Sequence, residues 1–355
     1  FKTSNNYVED SVNNQTKITK GISMNLEQTA GAGDYKQVTQ SNWPTEGYKF
    51  NAELSKCENG GEISWDDTKK AVIVSGNLSD KCYVYFDIYQ LTLAEYIKSQ
   101  YTGTQGENNI YYHDSSLANG AGDNSYRYAG ASDSVNNYIC LGSDATTCPD
   151  ANLFRIIGVF GNQTKVIRAK SVGYQQWHTS ADNTWSSSSL NAYLNGTYLT
   201  SLGTIAEKIA TTTWKVGGGS GSNISASVPK TAYKNEVGSS ASTTIIDKKI
   251  GLMYVSDYGF AASPSAWTKI LGDYDGTDAN GTSIKTINWM YMGYNEWTIS
   301  RHSDNTNSAF FVNSTGNVLG SNVRSDNGVR PSFNLESSVK YVSGSGSMSD
   351  PVRVN

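Results

Sequence analysis

The chain has 355 residues, of which 17% are charged, and 28 Lys and Arg stand against 32 Asp and Glu for a net charge of −4. That length holds two or three domains and a sizeable core. A weak negative charge with no basic tract excludes nucleic acid and anionic membrane as partners, and no apolar run approaches the length of a membrane span.

Residues 1 to about 40 are polar apart from the alternating run Ile22-Ser23-Met24-Asn25-Leu26, which predicts a strand. The segment carries too little apolar surface to fold alone, so it pairs with the following domain or is donated to a neighbouring copy. Tyr48, Phe50, Ala52 and Leu54 alternate with polar residues and predict a strand with one buried face. Residues 63–65 and 71–74 flank the charged stretch 66–70 as a hairpin, and Cys82, Val84, Phe86 and Ile88 share one face of the next strand. Such short strands at close spacing predict an N-terminal β-sandwich over 1–90, serving as a stalk or assembly domain.

Thr92 with Glu95 three residues on forms a capping box, with Leu91, Tyr96 and Ile97 as the apolar stripe of a short helix. A helix and loop-rich connector is expected over 91–150. Residues 153–160 and 165–167 read as a buried hairpin turned by Gly161-Asn162. Two short helices follow, one around Leu190, Tyr193 and Leu194, the other with Leu202, Ile205 and Ile209 at helical spacing. Residues 250–254 read as a buried strand beside a turn at Tyr258-Gly259-Phe260, and the tail closes as a hairpin around Gly344-Ser345-Gly346.

The four cysteines fall in two close pairs. His113, His178 and His302 are scattered and no Cys-x-x-Cys occurs, so disulfides Cys57 with Cys82 and Cys140 with Cys148 are expected rather than a metal site. They imply an oxidising, extracytoplasmic location.

The stretch 288–335 dominates the second half. Trp289 and Trp297 at one end and Val329 and Phe333 at the other predict core, whereas the Ser-, Asn- and Asp-rich residues between predict short strands joined by polar turns. The order WTISR, AFFV, TGNV and GVRPSF, with NLFRIIGVF at 152–160, IATTTWKVGG at 209–218, IGLMYVSDY at 250–258 and VSGSGSMSDPVRV at 342–354, resembles secreted and surface proteins of gut Firmicutes and their relatives. Their C-terminal domains are similar to the C-type lectin-like fold, in the branch that holds the formylglycine-generating enzyme and the variable proteins of diversity-generating retroelements. The resemblance implies a lectin-like domain over 151–355, so the whole chain is expected to be α+β, mostly β. It also implies a ligand face formed by His302, Asp304, Asn305, Asn307, Phe311, Asn313, Asn317, Asn322, Arg324 and Asp326, the surface that diversified relatives use.

Asparagine and aspartate there offer adaptable hydrogen bonds, with Phe311 or Arg324 as anchor. Substitutions at Asn305, Asn307, Asn313, Asn322 or Arg324 are expected to leave stability nearly unchanged. The formylglycine-generating activity is not expected, because no cysteine follows Cys148. His178 and His302 lie in no nucleophile motif, so the chain reads as a binding protein and not an enzyme. The run from Asp273 through Asp275 and Asp278 to Asn280 places oxygen ligands at alternating positions. It reads either as a weak calcium loop departing from the EF-hand pattern or as an ordinary turn. The expected role is a bacterial cell-surface adhesin that binds an extracellular protein or glycan, with no cofactor unless calcium. The alternative is a filament or pilus subunit, a homopolymer assembled through its N-terminal segment.

Overall fold

The computed structural model describes residues 10–12, 15–17, 21–38, 44, 47–77 and 80–355. The fold is α+β, mostly β, as expected. The chain divides into two compact units between Leu91 and Thr92.

In the N-terminal unit a four-stranded sheet runs in the order Tyr35–Val38, Gly21–Glu27, Lys81–Ile88, Tyr48–Cys57. Gly21–Glu27 lies parallel to Lys81–Ile88 and antiparallel to Tyr35–Val38, so both its edges are paired within its own chain. The hairpin Glu62–Asp66 with Ala71–Ser75 forms as predicted. It supplies Val72, Ile63 and Trp65 to a small core with Ile22, Met24, Leu26, Val84 and Phe86, and Trp65 meets Phe86 edge-on at 5.0 Å. This is a sandwich in which the second layer is a single hairpin.

One expected strand face is corrected. Tyr48 and Phe50 point inward, but Ala52 and Leu54 are exposed, because the register shifts between Asn51 and Lys56. A bulge breaks the two-residue period and sends the later apolar side chains to solvent. Past the bulge Cys57 sits opposite Cys82, and the two are joined as a disulfide.

The C-terminal unit holds one continuous core. Residues 92–150 belong to this unit and are no separate connector, since Leu93, Ala94, Ile97, Ile110, Val135 and Ile139 are buried in it. The capping box at Thr92 is present, Oγ1 accepting from Glu95 N. The buried stripe is Leu93, Ala94 and Ile97, and Leu91 is exposed.

A nine-stranded sheet contains Leu153–Phe160 and Gln163–Arg168 at its centre. Tyr126–Tyr128 and Tyr138–Cys140 both pair with Leu153–Phe160, and Ser332–Asn334 pairs with Gln163–Arg168. The closing hairpin, Tyr341–Ser343 with Val352–Val354, enters this sheet in parallel beside Tyr138–Cys140. A second, five-stranded sheet runs Tyr174–Gln176, Asp326–Gly328, Glu296–Arg301, Ser308–Val312, Val318–Asn322. Trp289, Trp297, Val329 and Phe333 are each at most 1% exposed, as the sequence predicts.

The helices differ from expectation. The two predicted around 190 and 205 form one winding segment, Ser189–Tyr193, a π turn at Leu194–Tyr198, Leu199–Ser201 and a 3-10 turn at Gly203–Lys208. Two further helices were not predicted, Pro229–Glu236 and Val255–Ala261. The latter takes in Tyr258-Gly259-Phe260, where a turn was expected. Each of its seven residues is buried, so no polar face marks it as a helix.

Candidate functional site

The expected ligand face lies on the outer strands of the five-stranded sheet and their loops. Asp304, Asn305, Asn322, Arg324 and Asp326 are exposed, and His302, Asn307, Phe311, Asn313 and Asn317 are half-buried. Their polar atoms are largely engaged in shaping the chain. Asn313 Oδ1 accepts from Thr315 N, Thr315 Oγ1 and Asn317 N. Asn322 Oδ1 accepts from Arg324 N, Asn305 Oδ1 from Asn307 N, and Asn317 Oδ1 from Asp275 N. His302 stacks on Phe310 with ring centroids 4.8 Å apart and contacts Asp304 through Nδ1.

Phe311 meets Trp297 edge-on, ring centroids 6.1 Å apart. A residue that sequence reasoning passed over holds this loop together: Asn183 Nδ2, 1% exposed, donates toward the carbonyls of His302, Asn305 and Ser308. The expectation of stability-neutral change at Asn305, Asn313 and Asn322 is therefore corrected, since all three close turns through their side-chain oxygens.

The calcium reading gains no geometry. Asp278 is buried and its Oδ1 accepts from Asn280 N and Thr282 N, whereas Asp273, Asp275 and Asn280 point to solvent. Among the described residues no group of three or more His, Cys, Asp or Glu converges on a point. Both predicted disulfides are present, Cys57 with Cys82 and Cys140 with Cys148. They fit an oxidising environment. Among the described residues no helix is long and apolar enough to cross a membrane.

A different site is built where the nine-stranded sheet meets the two unpredicted helices. Arg127 pairs with Gly158, Gly158 with Lys165, and Lys165 with Asn334 across four adjacent strands. Residues opposite one another in a sheet project to the same face, so three polar side chains rise in a row around the gap that Gly158 leaves. The gap is obligatory: a Cβ on Gly158 would stand 2.2 Å from Tyr126 O. The register shift between Ile156 and Gly158 marks the same spot.

Over this row the start of Val255–Ala261 lowers Asp257. Its Oδ2 accepts from Lys165 Nζ at 2.5 Å and from Tyr254 N at 2.9 Å, and its Oδ1 from Arg127 Nη1 at 3.3 Å. Arg127 Nη2 donates to Asp123 Oδ2 at 2.7 Å. Two cations and two carboxylates thus neutralise one another, and all but Asp123 are at most 5% exposed. Burial lowers the Lys165 pKa, with Asp257 opposing the shift. For Asp123 burial acts upward, but Arg127 and the Ser125 hydrogen bonds outweigh it and hold the carboxyl well below its ordinary range.

The walls are aromatic. Lys165 Nζ lies 4.6 Å from the Tyr254 ring centroid and 5.3 Å from that of Trp214, and Arg127 lies 4.6 Å from that of Phe160. Burial and the neighbouring Asp123 raise the Tyr233 hydroxyl. Behind the helix start, Glu236 accepts from Val255 N, Ser256 N and Ser300 Oγ. Burial pushes its pKa up to about 7 despite those donors.

Apart from Glu236, these groups line a cavity of about 200 Å³ together with Thr212, Thr213, Lys215, Ser256 and Asn334. Ser256 Oγ and Asn334 Oδ1 are buried with no hydrogen-bond partner among the described residues. An ammonium has three protons to give, and Asp257 takes one from Lys165.

None of the residues of this pocket was singled out as a site from sequence. The signals were a lysine next to the apolar pair Val166-Ile167 and a glycine inside NLFRIIGVF, where a strand glycine marks close backbone approach.

Fold and pocket together define a β-rich protein whose C-terminal unit carries a charged, aromatic-walled cavity. Residues 161–337, just under half of the chain, match the family described as Domain of unknown function (DUF6273). No curated protein and no solved structure matches the chain. The match takes in Lys165, Trp214, Tyr233, Tyr254, Asp257 and Asn334, and leaves out Asp123, Arg127 and Phe160.

Proposed function

We propose that this chain is a secreted ligand-binding protein of a bacterial cell surface, that its C-terminal unit is lectin-like, and that its recognition site is the Lys165–Asp257 pocket. The observation that carries the reading is a cavity lined by buried charges which are already paired, yet which keeps two buried polar atoms without partners. Buried polar groups in folded proteins are almost always satisfied, so two without partners on residues that line one cavity support a place for a ligand's own polar groups.

The lectin-like reading is supported by a nine-stranded and a five-stranded sheet in one unit and by a closing hairpin that returns to the first of them. Binding rather than catalysis is supported by the chemistry of the pocket, where Lys165 is tied to Asp257 and Ser256 Oγ touches no base among the described residues.

The test is adhesion of the purified protein to a mucin, host-cell and glycan panel. Thr213 is exposed at the rim with its Oγ1 donating to Asp247 Oδ1 on the paired strand, so Thr213→Trp adds bulk at the pocket mouth without entering the core. That variant is expected to lose binding at unchanged melting temperature, while Arg324→Ala on the loop face binds as the parent does. Loss in Arg324→Ala with retention in Thr213→Trp moves the site to the loop face. A parent that binds no panel member overturns the reading.

A further inference from the structure

We infer that the pocket takes a single uncharged sugar ring, the end of a glycan or a free monosaccharide. This rests on the pocket being a binding site and adds what it binds.

The charges decide first. Arg127 and Lys165 are matched by Asp123 and Asp257 at hydrogen-bonding distance, and Lys215, the third cation of the lining, is half-buried with its Nζ donating to Gly238 O at 3.4 Å. A carboxylate or phosphate entering here meets two fixed carboxylates, and a cation meets a guanidinium and an ammonium. At that buried, paired row either ligand would lose its hydration and gain no net attraction in return, a loss that grows with burial.

The unsatisfied groups decide next. Lys165 has protons to donate, Asn334 Oδ1 accepts, and Ser256 Oγ does both. A ligand that meets donors and acceptors within a few ångströms of each other needs groups that both donate and accept, which is what adjacent hydroxyls offer. A fully apolar ligand would leave Ser256 and Asn334 as they are and gain nothing from them.

Shape decides last. Phe160, Trp214, Tyr233 and Tyr254 wall the cavity with flat apolar surface, which suits the C–H face of a pyranose. The cavity of about 200 Å³ lies below the roughly 300–1,000 Å³ of pockets for drug-sized ligands. One ring fits inside, and any further residues of a glycan remain outside past the exposed Thr213.

Saturation-transfer NMR on the full chain tests this with sugars of matched shape and different charge. The neutral probes are the methyl glycosides of glucose, galactose, mannose, fucose, N-acetylglucosamine and N-acetylgalactosamine. The charged probes are glucuronate and galacturonate as anions and glucosamine as cation. At least one neutral ring is expected to show transfer, and the charged partner of that ring to bind more weakly.

Ser256→Ala and Lys165→Met each remove one ligand hydrogen bond and are expected to weaken the neutral ring about tenfold. Should Lys165→Met fail to fold because Asp257 loses a partner, Ser256→Ala carries the test alone. Transfer confined to the uronates or to glucosamine overturns the inference, as does a neutral ring bound equally by the parent and by both Ser256→Ala and Thr213→Trp. If Thr213→Trp abolishes adhesion to the panel while no neutral ring binds, the sugar assignment falls and the binding role stands.

Discussion

At the scale of the residue, Glu236 is a carboxyl held inside the core on two backbone amides and a serine hydroxyl, with its pKa pushed up to about 7 from an ordinary 4.5. Between those values the folded protein keeps a proton that the unfolded chain has released. The stabilising contribution is therefore complete below about pH 4.5 and is lost as pH rises through 7. Glu236→Gln removes the titration and keeps an acceptor for one of the two amides, a cost that is the same at every pH. Relative to this variant the parent is expected to lose about 1–3 kcal/mol between pH 4.5 and 7.5, read as the difference in urea midpoints at each pH. A constant difference across the window would show that Glu236 does not titrate there. Single residues also separate what was legible from what was not. The burial of Trp289, Trp297, Val329 and Phe333 was legible because large apolar side chains have one stable place. The roles of Asn313 and Asn322 were not, because the same oxygen can face a ligand or close a turn and only the backbone path decides.

Elements were legible where periodicity was unbroken. Lys81–Ile88 alternates as predicted, whereas Tyr48–Cys57 starts in phase and loses it at the bulge after Asn51. Val255–Ala261 was missed because complete burial erases the polar stripe that identifies a helix. The pocket was hidden for a related reason: its row runs across four strands, and cross-strand pairing is invisible along one chain. Gly158 is the hinge of that row. Gly158→Ala forces a methyl against Tyr126 O, so Tyr126–Tyr128 must move away and Arg127 with it. The expected result is a loss of about 1–3 kcal/mol by chemical denaturation, of the size seen for overpacked cores, together with loss of pocket binding. Tolerance of alanine with binding intact would mean that the strand does not position Arg127.

At the scale of the whole molecule, the core of the C-terminal unit draws, among the described residues, on a set that runs from Leu93 to Val352. A fragment of residues 92–355 is therefore expected to fold by itself and to keep the pocket, with a melting transition within a few degrees of that unit in the full chain. An unfolded fragment, by far-ultraviolet circular dichroism, would show that the first unit is required. The first unit has the thinner core, and its Tyr48–Cys57 strand is the outer strand of its sheet, bulged and carrying an exposed Leu54. Unpaired outer strands are where chains stick to one another, and a slip of one residue turns an apolar face outward. Cys57 and Cys82 stand directly opposite in that outermost pairing. Their bond fastens the strand to a single alignment, and so acts as a guard against self-association: once oxidised, the strand cannot slide to offer its greasy side to a second copy, and in a reducing medium that protection is gone.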